Sequence, residues 1–123
     1  MAVSAKAYGP ALAAMANGSI NWTTDTIKVA LCTSAYTPDQ DAHDFFNDVT
    51  NEVTGTGYTA GGATLGSKTS AYTGGTNTTA LDAADTTWSA STITARYAII
   101  YKSTGTAATS PLIGWVDFGA DVV

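Results

Sequence analysis

The stretch Ile93–Ser103 reads ITARYAIIYKS and decides the fold class of this chain. Its side chains fall into two alternating sets, and such a period of two is typical of a β-strand. One set is Ile93, Ala95, Tyr97, Ile99 and Tyr101. Because β-branched and aromatic residues dominate this set, the pattern predicts a strand with one face in the core.

The same period recurs in both directions from this strand. Thr26–Thr33 reads TIKVALCT and predicts a strand that buries its aliphatic side chains on one face and places Cys32 on the other, as a small packing residue. Ser67–Thr73 and Thr76–Asp82 flank Gly74-Gly75 and predict a hairpin. The residues expected to be buried are Ile27, Val29, Leu31, Phe45, Tyr97 and Ile99.

The last part of the chain continues the β pattern. Leu112–Phe118 predicts a return strand in which Gly114 marks a bulge or a close contact. Asp121–Val123 resembles the beginning of another strand. We therefore expect either that the sequence ends before the domain is complete or that this end pairs elsewhere.

Two segments favour helices. A helical segment at about 10–16 follows from Pro10 in the first turn, the alanine-rich stretch after it, and the stop signal Asn17-Gly18. Its alternative is a secretion signal, which Tyr8, Gly9 and Pro10 disfavour. A short helix at about 38–49 follows from a capping box at Thr37 and an apolar stripe, which consists of Ala42, Phe45, Phe46 and Val49.

These elements predict a mainly β fold, an antiparallel β-sandwich or barrel with one or two short helices. Residues 1–123 form a single β domain, since a chain of this length matches one core.

Composition excludes several kinds of partner and site. Only 12% of residues are charged, and Thr, Ala, Gly and Ser fill about half of the chain. The 5 cationic residues are scattered, so we expect no nucleic-acid binding. No apolar run approaches the ~18 residues of a membrane span, so we expect no membrane partner. One Cys and one His exclude an internal disulfide and a zinc site of the usual kind.

The only candidate for metal or acid–base chemistry is the acidic cluster, defined as Asp39, Asp41, His43, Asp44 and Asp48. It begins like a calcium loop, but Asp44 stands where glycine is needed and Thr50 where glutamate is needed. A solvated helix face explains the spacing better. We therefore predict no metal, no cofactor and no catalytic residue, and no enzymatic activity; a hydrolase using this cluster is the disfavoured alternative.

The glycine-rich stretch Gly55–Gly62 reads GTGYTAGG and matches neither a dinucleotide fingerprint nor a phosphate loop. It predicts a loop that needs positive φ angles and a close approach of backbone to backbone. This loop should lead into a strand around Ala63–Leu65.

Several segments together resemble a family of small structural proteins of tailed bacteriophages. These segments are TIKVAL at 26–31, YTPDQD at 36–41, NEVTGTGYTAGG at 51–62, TITARYAIIY at 92–101 and PLIGWVDF at 111–118. The resemblance spans nearly the whole chain. It implies a non-enzymatic virion component, made in the host cytoplasm and similar to head decoration proteins.

The main hypothesis is a capsid decoration or cement protein that stabilises the shell through many copies. Its partners would be the major capsid protein or other virion proteins, and itself as a homo-oligomer. The interface candidates are Trp88, Trp115, Tyr58 and Tyr72, because aromatic residues dominate interface energetics. The alternative is a tail or fibre component whose aromatic side chains, with Tyr36 among them, contact host surface glycans.

Overall fold

The computed structural model describes residues 2–123 and shows a mainly β fold. It has seven strands and one α-helix, and two 3-10 turns lie at Phe46–Asp48 and Ala107–Thr109. In chain order the elements are β1 (Ser4–Ala7), α1 (Gly9–Ala16), β2 (Ile27–Cys32), β3 (Ala63–Thr64), β4 (Thr69–Thr73), β5 (Thr78–Asp82), β6 (Ala95–Lys102) and β7 (Leu112–Val122).

Five strands form one antiparallel sheet with the order β1-β7-β6-β2-β3, and β4 pairs only with β5. The centre of the sheet is the pairing of β6 with β2 and β7, where Ile99 lies opposite both Ala30 and Trp115. The predicted fold class, mainly β with antiparallel strands and a short helix, is confirmed. Within residues 2–123 the main sheet does not close into a barrel, since β1 and β3 remain its edges.

Both faces of the main sheet are covered, whereas the sequence pattern of β2 predicts only one buried face. Ile27, Val29 and Leu31 are buried as predicted, but Ala30 and Cys32 on the opposite face are fully buried as well. The covering segments come from loops far away in sequence, so a period-two pattern in β2 alone does not report them.

Three core clusters result from this double coverage. The first contains Tyr8, Ala30, Cys32, Tyr36, Ile99, Tyr101 and Leu112. The second is built around Val29, Leu31, Val53, Ala95 and Ala98, and the third around Ile20, Ile27 and Ile113. Of the predicted core residues, Ile99 is buried like the β2 aliphatics, whereas Phe45 and Tyr97 are half-buried.

The helix predicted at 38–49 is wrong. The segment forms turns and the 3-10 turn at Phe46–Asp48, because its polar side chains and distant segments take the backbone groups that a helix would use. Asp39 accepts hydrogen bonds from the N–H groups of Asp41 and Ala42, and Asp48 from that of Asp44. Phe46 still packs on the core, where its ring stacks on Tyr101 at 4.0 Å between centroids.

The predicted helix at 10–16 is confirmed as α1, which has Pro10 in its first turn and ends at Ala16 with Asn17 as its C-cap. Strand β1, which was not predicted, pairs with β7 as an edge strand and buries none of its side chains. Without buried apolar residues, β1 has no hydrophobic pattern by which it could be predicted.

The predicted last strand runs further than expected. It extends through Val122, which pairs with Ala95, so Asp121–Val122 continue β7 and do not begin a new strand. Gly114 lies beside a register shift, and a Cβ atom there would come within 2.8 Å of the Lys6 carbonyl oxygen. The predicted close contact at Gly114 is therefore confirmed.

Candidate interaction surface

The hairpin formed by β4 and β5, residues 69–82, is the most exposed part of the fold, and we call it the hairpin arm. All ten of its strand residues are exposed. Its strands were predicted from the sequence, but the turn spans four residues, with Asn77 at a φ of 53°. A two-stranded hairpin with both faces in water is only marginally stable by itself. The rest of the chain must therefore hold its base.

Hydrogen bonds from Trp22 attach the base of the hairpin arm to the rest of the chain. The indole Nε1–H of Trp22 donates to the carbonyl oxygens of Thr69 at 3.0 Å and Asp82 at 3.3 Å, the first register pair of the hairpin. Lys68 Nζ donates to the carbonyl oxygen of Asp25 at 2.7 Å. The strand ends are thus fixed while the arm itself extends away from the core. Trp22 is separated from the arm by more than 40 residues, so no local sequence pattern indicates this role.

One face of the arm carries its two large apolar side chains. Tyr72 is 65% exposed and Leu81 is 39% exposed. Because Tyr72 pairs with Thr79 and Leu81 pairs with Ser70, the two side chains lie on the same face as diagonal neighbours. The Tyr72 hydroxyl donates to Asn77 Oδ1 at 3.1 Å, which orients its ring toward the turn.

The other three predicted interface residues lie against the core of the same chain. Trp115 is half-buried and contacts Tyr8, with 4.7 Å between ring centroids. Trp88 and Tyr58 are also half-buried, and their ring centroids lie 6.1 Å apart. The structure therefore does not bring the four candidates together, and Tyr72 is the one that projects freely from the body.

Tyr58 ties the glycine-rich loop to the sheet. Its hydroxyl donates to Glu52 Oε2 at 2.5 Å and accepts from the N–H of Leu31 at 2.9 Å. Glu52 Oε2 also accepts from the N–H of Gly61 at 2.6 Å. Burial, and then the hydrogen bond to Glu52, raise the pKa of Tyr58, so its hydroxyl keeps its proton as a donor.

The predicted glycine loop is confirmed. Gly55, Gly57, Gly61 and Gly62 all have positive φ angles, and the loop leads into β3 at Ala63.

The acidic cluster does not converge on one point. In residues 2–123 the structure shows no group of three or more His, Cys, Asp or Glu side chains placed to hold a metal ion. Asp39 and Asp48 instead accept hydrogen bonds from backbone N–H groups, and these bonds lower the pKa of both carboxyl groups. The cluster thus shapes the turns of this segment.

We expect Asp39→Ala to lower the melting temperature at pH 7, since two backbone N–H groups lose their acceptor. The folded-state pKa of Asp39 is below its unfolded value, so its contribution is present above about pH 4 and is lost as the pH falls through the folded value. The difference in melting temperature between Asp39→Ala and the wild type should therefore be smaller near pH 2.5 than at pH 7. Thermal unfolding followed by circular dichroism at both pH values measures it, with the exposed neighbour Asp41→Ala as control. A difference that widens in acid would contradict the expectation.

A buried hydrogen-bond chain joins Tyr8, Tyr36 and His43. The two tyrosine hydroxyls are 2.8 Å apart, and Tyr36 Oη lies 2.9 Å from His43 Nδ1. Because the N–H of Asp39 also donates to His43 Nδ1, this nitrogen is the acceptor. Tyr36 therefore donates to His43, and Tyr8 donates to Tyr36. Burial raises the pKa of Tyr36 to about 12.

We expect Tyr36→Phe to lower the free energy of unfolding by about 1–3 kcal/mol, because the Tyr8 hydroxyl would remain buried without its partner. Urea denaturation measures this loss. The matched control is Tyr97→Phe, because the hydroxyl of the half-buried Tyr97 makes no hydrogen bond within residues 2–123, and its removal should change stability by less than about 0.5 kcal/mol. Equal losses in the two variants would show that the buried chain contributes nothing specific.

Cys32 is fully buried, and desolvation raises the pKa of its thiol to about 12. We expect the native protein not to react with a thiol-specific reagent such as dithionitrobenzoate, and the protein in urea to react with one equivalent per chain. The absorbance of the released thiolate measures this. Rapid labelling of the native chain would show that the loops covering this face of the sheet open readily.

No helix in residues 2–123 is long and apolar enough to cross a membrane.

Comparisons with known proteins identify no relative of this chain. A scan against protein-family models, a search of curated proteins and a search of solved structures each gave no match to the chain. The resemblance to phage structural proteins therefore stays a prediction from the sequence motifs.

Proposed function

We propose that this chain is a non-enzymatic structural protein of a phage virion, most concretely a capsid decoration or cement protein that is present in many copies. The hairpin arm is the observation that carries the proposal. The arm is exposed on both faces and held only at its base, so a neighbouring molecule that covers it would stabilise it.

The composition supports the same function. Charged side chains normally keep protein surfaces apart, and this chain has them at only 12% of its positions. A surface rich in threonine and alanine suits a protein that is largely covered by its neighbours. The net charge of −5 also suits the outside of a shell better than the surface that faces packaged DNA.

The proposed partners are the major capsid protein or other virion proteins, together with further copies of this chain. The proposed location is the virion. Binding to the shell would then stabilise it by burying surface across the junctions between shell subunits, with interfaces above roughly 1,000 Å².

The test adds the purified chain to phage particles that have been stripped of it. We expect the chain to rebind in hundreds of copies per particle and to raise the temperature at which the particles break open. Locating its density in a map of the particle gives the copy number. A chain that neither rebinds nor raises the disruption temperature would overturn the cement function. A handful of copies at the tail would favour the tail or fibre component instead.

A further inference from the structure

The surface area of the chain indicates how much of it is available for a partner. The chain exposes 6809 Å². A compact monomer of 12.5 kDa exposes ~6,200 Å², so this chain exposes about 10% more than compactness requires. The strand residues of the hairpin arm are all exposed, so the arm contributes to this area.

The charge distribution indicates which partner fits the arm. The chain carries a net charge of −5, so two copies repel each other at long range. Residues 69–81 contain no charged side chain at all. In a two-fold contact a residue close to the axis lies near its own counterpart, so any charge there meets its like. The charged residue of the arm, Asp82, pairs with Thr69 and lies on the opposite face, so the Tyr72–Leu81 face avoids this repulsion.

Two further features of the hairpin arm favour such a contact: the apolar side chains on one face and the restricted ring of Tyr72. Its Tyr72–Leu81 face combines the two large apolar side chains with the small residues Ser70 and Thr79. The hydrogen bond from Tyr72 to Asn77 limits the freedom of the tyrosine ring before any partner arrives. Less conformational entropy is then lost on association.

We propose that two copies of this chain associate through their hairpin arms, with the Tyr72–Leu81 faces packed against each other about a two-fold axis. The inference rests on the proposed assembly function and names the partner that covers the arm. If each copy buries the ~600 Å² by which it exceeds a compact monomer, the pair buries ~1,200 Å², which lies at the lower limit of the roughly 1,200–2,000 Å² of specific interfaces.

The experiment uses the full chain with opposite charges at the centre of the proposed contact. Tyr72→Lys and Tyr72→Glu are purified separately, and analytical ultracentrifugation measures their masses alone and in an equimolar mixture. The matched controls are Leu12→Lys and Leu12→Glu, because Leu12 is 76% exposed on α1, outside the arm. Circular dichroism verifies that each variant keeps the wild-type fold.

We expect the wild type and the Leu12 variants to be dimers and each Tyr72 variant alone to dissociate at least tenfold more readily. The mixture of Tyr72→Lys with Tyr72→Glu should regain the dimer, since opposite charges then meet at the axis. A monomeric wild type at about 100 μM, Tyr72 variants that stay dimeric, or a mixture that stays dissociated would each overturn the arm-to-arm contact. Rebinding of the wild type to stripped particles would still test the cement function separately.

Discussion

Replacing Gly62 with alanine is expected to have the largest effect of any single methyl group added to this chain. Gly62 precedes β3 at a φ of +82°, where alanine is strained. A Cβ atom there would lie 1.8 Å from the Val29 carbonyl oxygen and 2.7 Å from Ala30 Cα. These atoms belong to the backbone of β2, so no side chain can rotate away to make room.

Relief of this overlap requires β3 and the glycine loop to move away from β2. We therefore expect Gly62→Ala to lower the free energy of unfolding by more than about 4 kcal/mol, a large share of the roughly 5–15 kcal/mol of a typical domain. Circular dichroism and urea denaturation measure the loss. Gly66→Ala and Gly75→Ala are the controls, because added Cβ atoms there meet no atom within 4 Å. A Gly62→Ala protein that unfolds at the wild-type urea concentration would contradict the close contact.

Truncation of Leu112 is expected to have the second-largest effect. Leu112 is 1% exposed in the first core cluster, where it packs with side chains such as Ile99 and Tyr101. Leu112→Ala removes buried methyl groups and leaves a cavity, which costs about 2–5 kcal/mol. Its N–H donates to the carbonyl oxygen of Asp44, and this hydrogen bond does not depend on the side chain.

The chain offers a matched control for this substitution. Leu12→Ala deletes the same atoms from a side chain that is 76% exposed on α1, where alanine is a good helix former. We expect it to change stability by less than about 0.5 kcal/mol. Urea denaturation of both variants measures the difference. Similar losses in the two variants would show that the first core cluster does not dominate the stability of the fold.

The candidate site was predicted in part. The glycine pair at 74–75 predicts the hairpin, and Tyr72 is one of the four named interface residues. Leu81 and the clamp by Trp22 were not predicted. A local pattern of threonine and alanine gives strand propensity but does not reveal whether another layer covers the strand. The exposure of the arm therefore follows from its position in the fold.

The sequence by itself determined the elements whose signals are local. Strands β2 and β6 follow from period-two alternation, α1 follows from Pro10 and the stop signal after it, and the glycine loop follows from residues that tolerate positive φ angles. Each of these signals depends on the conformational preferences of neighbouring residues, so it can be recognised without knowledge of the fold.

Only the tertiary structure decided the rest. The segment 38–49 has the pattern of a helix, yet Asp39, Asp48 and distant strands take its backbone hydrogen bonds, and Phe46 reaches the core from a turn. Cys32 is buried because loops cover the second face of the sheet, and Tyr8 meets Tyr36 across 28 positions of sequence. Contacts between distant segments outweigh local preference, because burial and satisfied hydrogen bonds are worth more than the few tenths of a kcal/mol that separate most helix propensities.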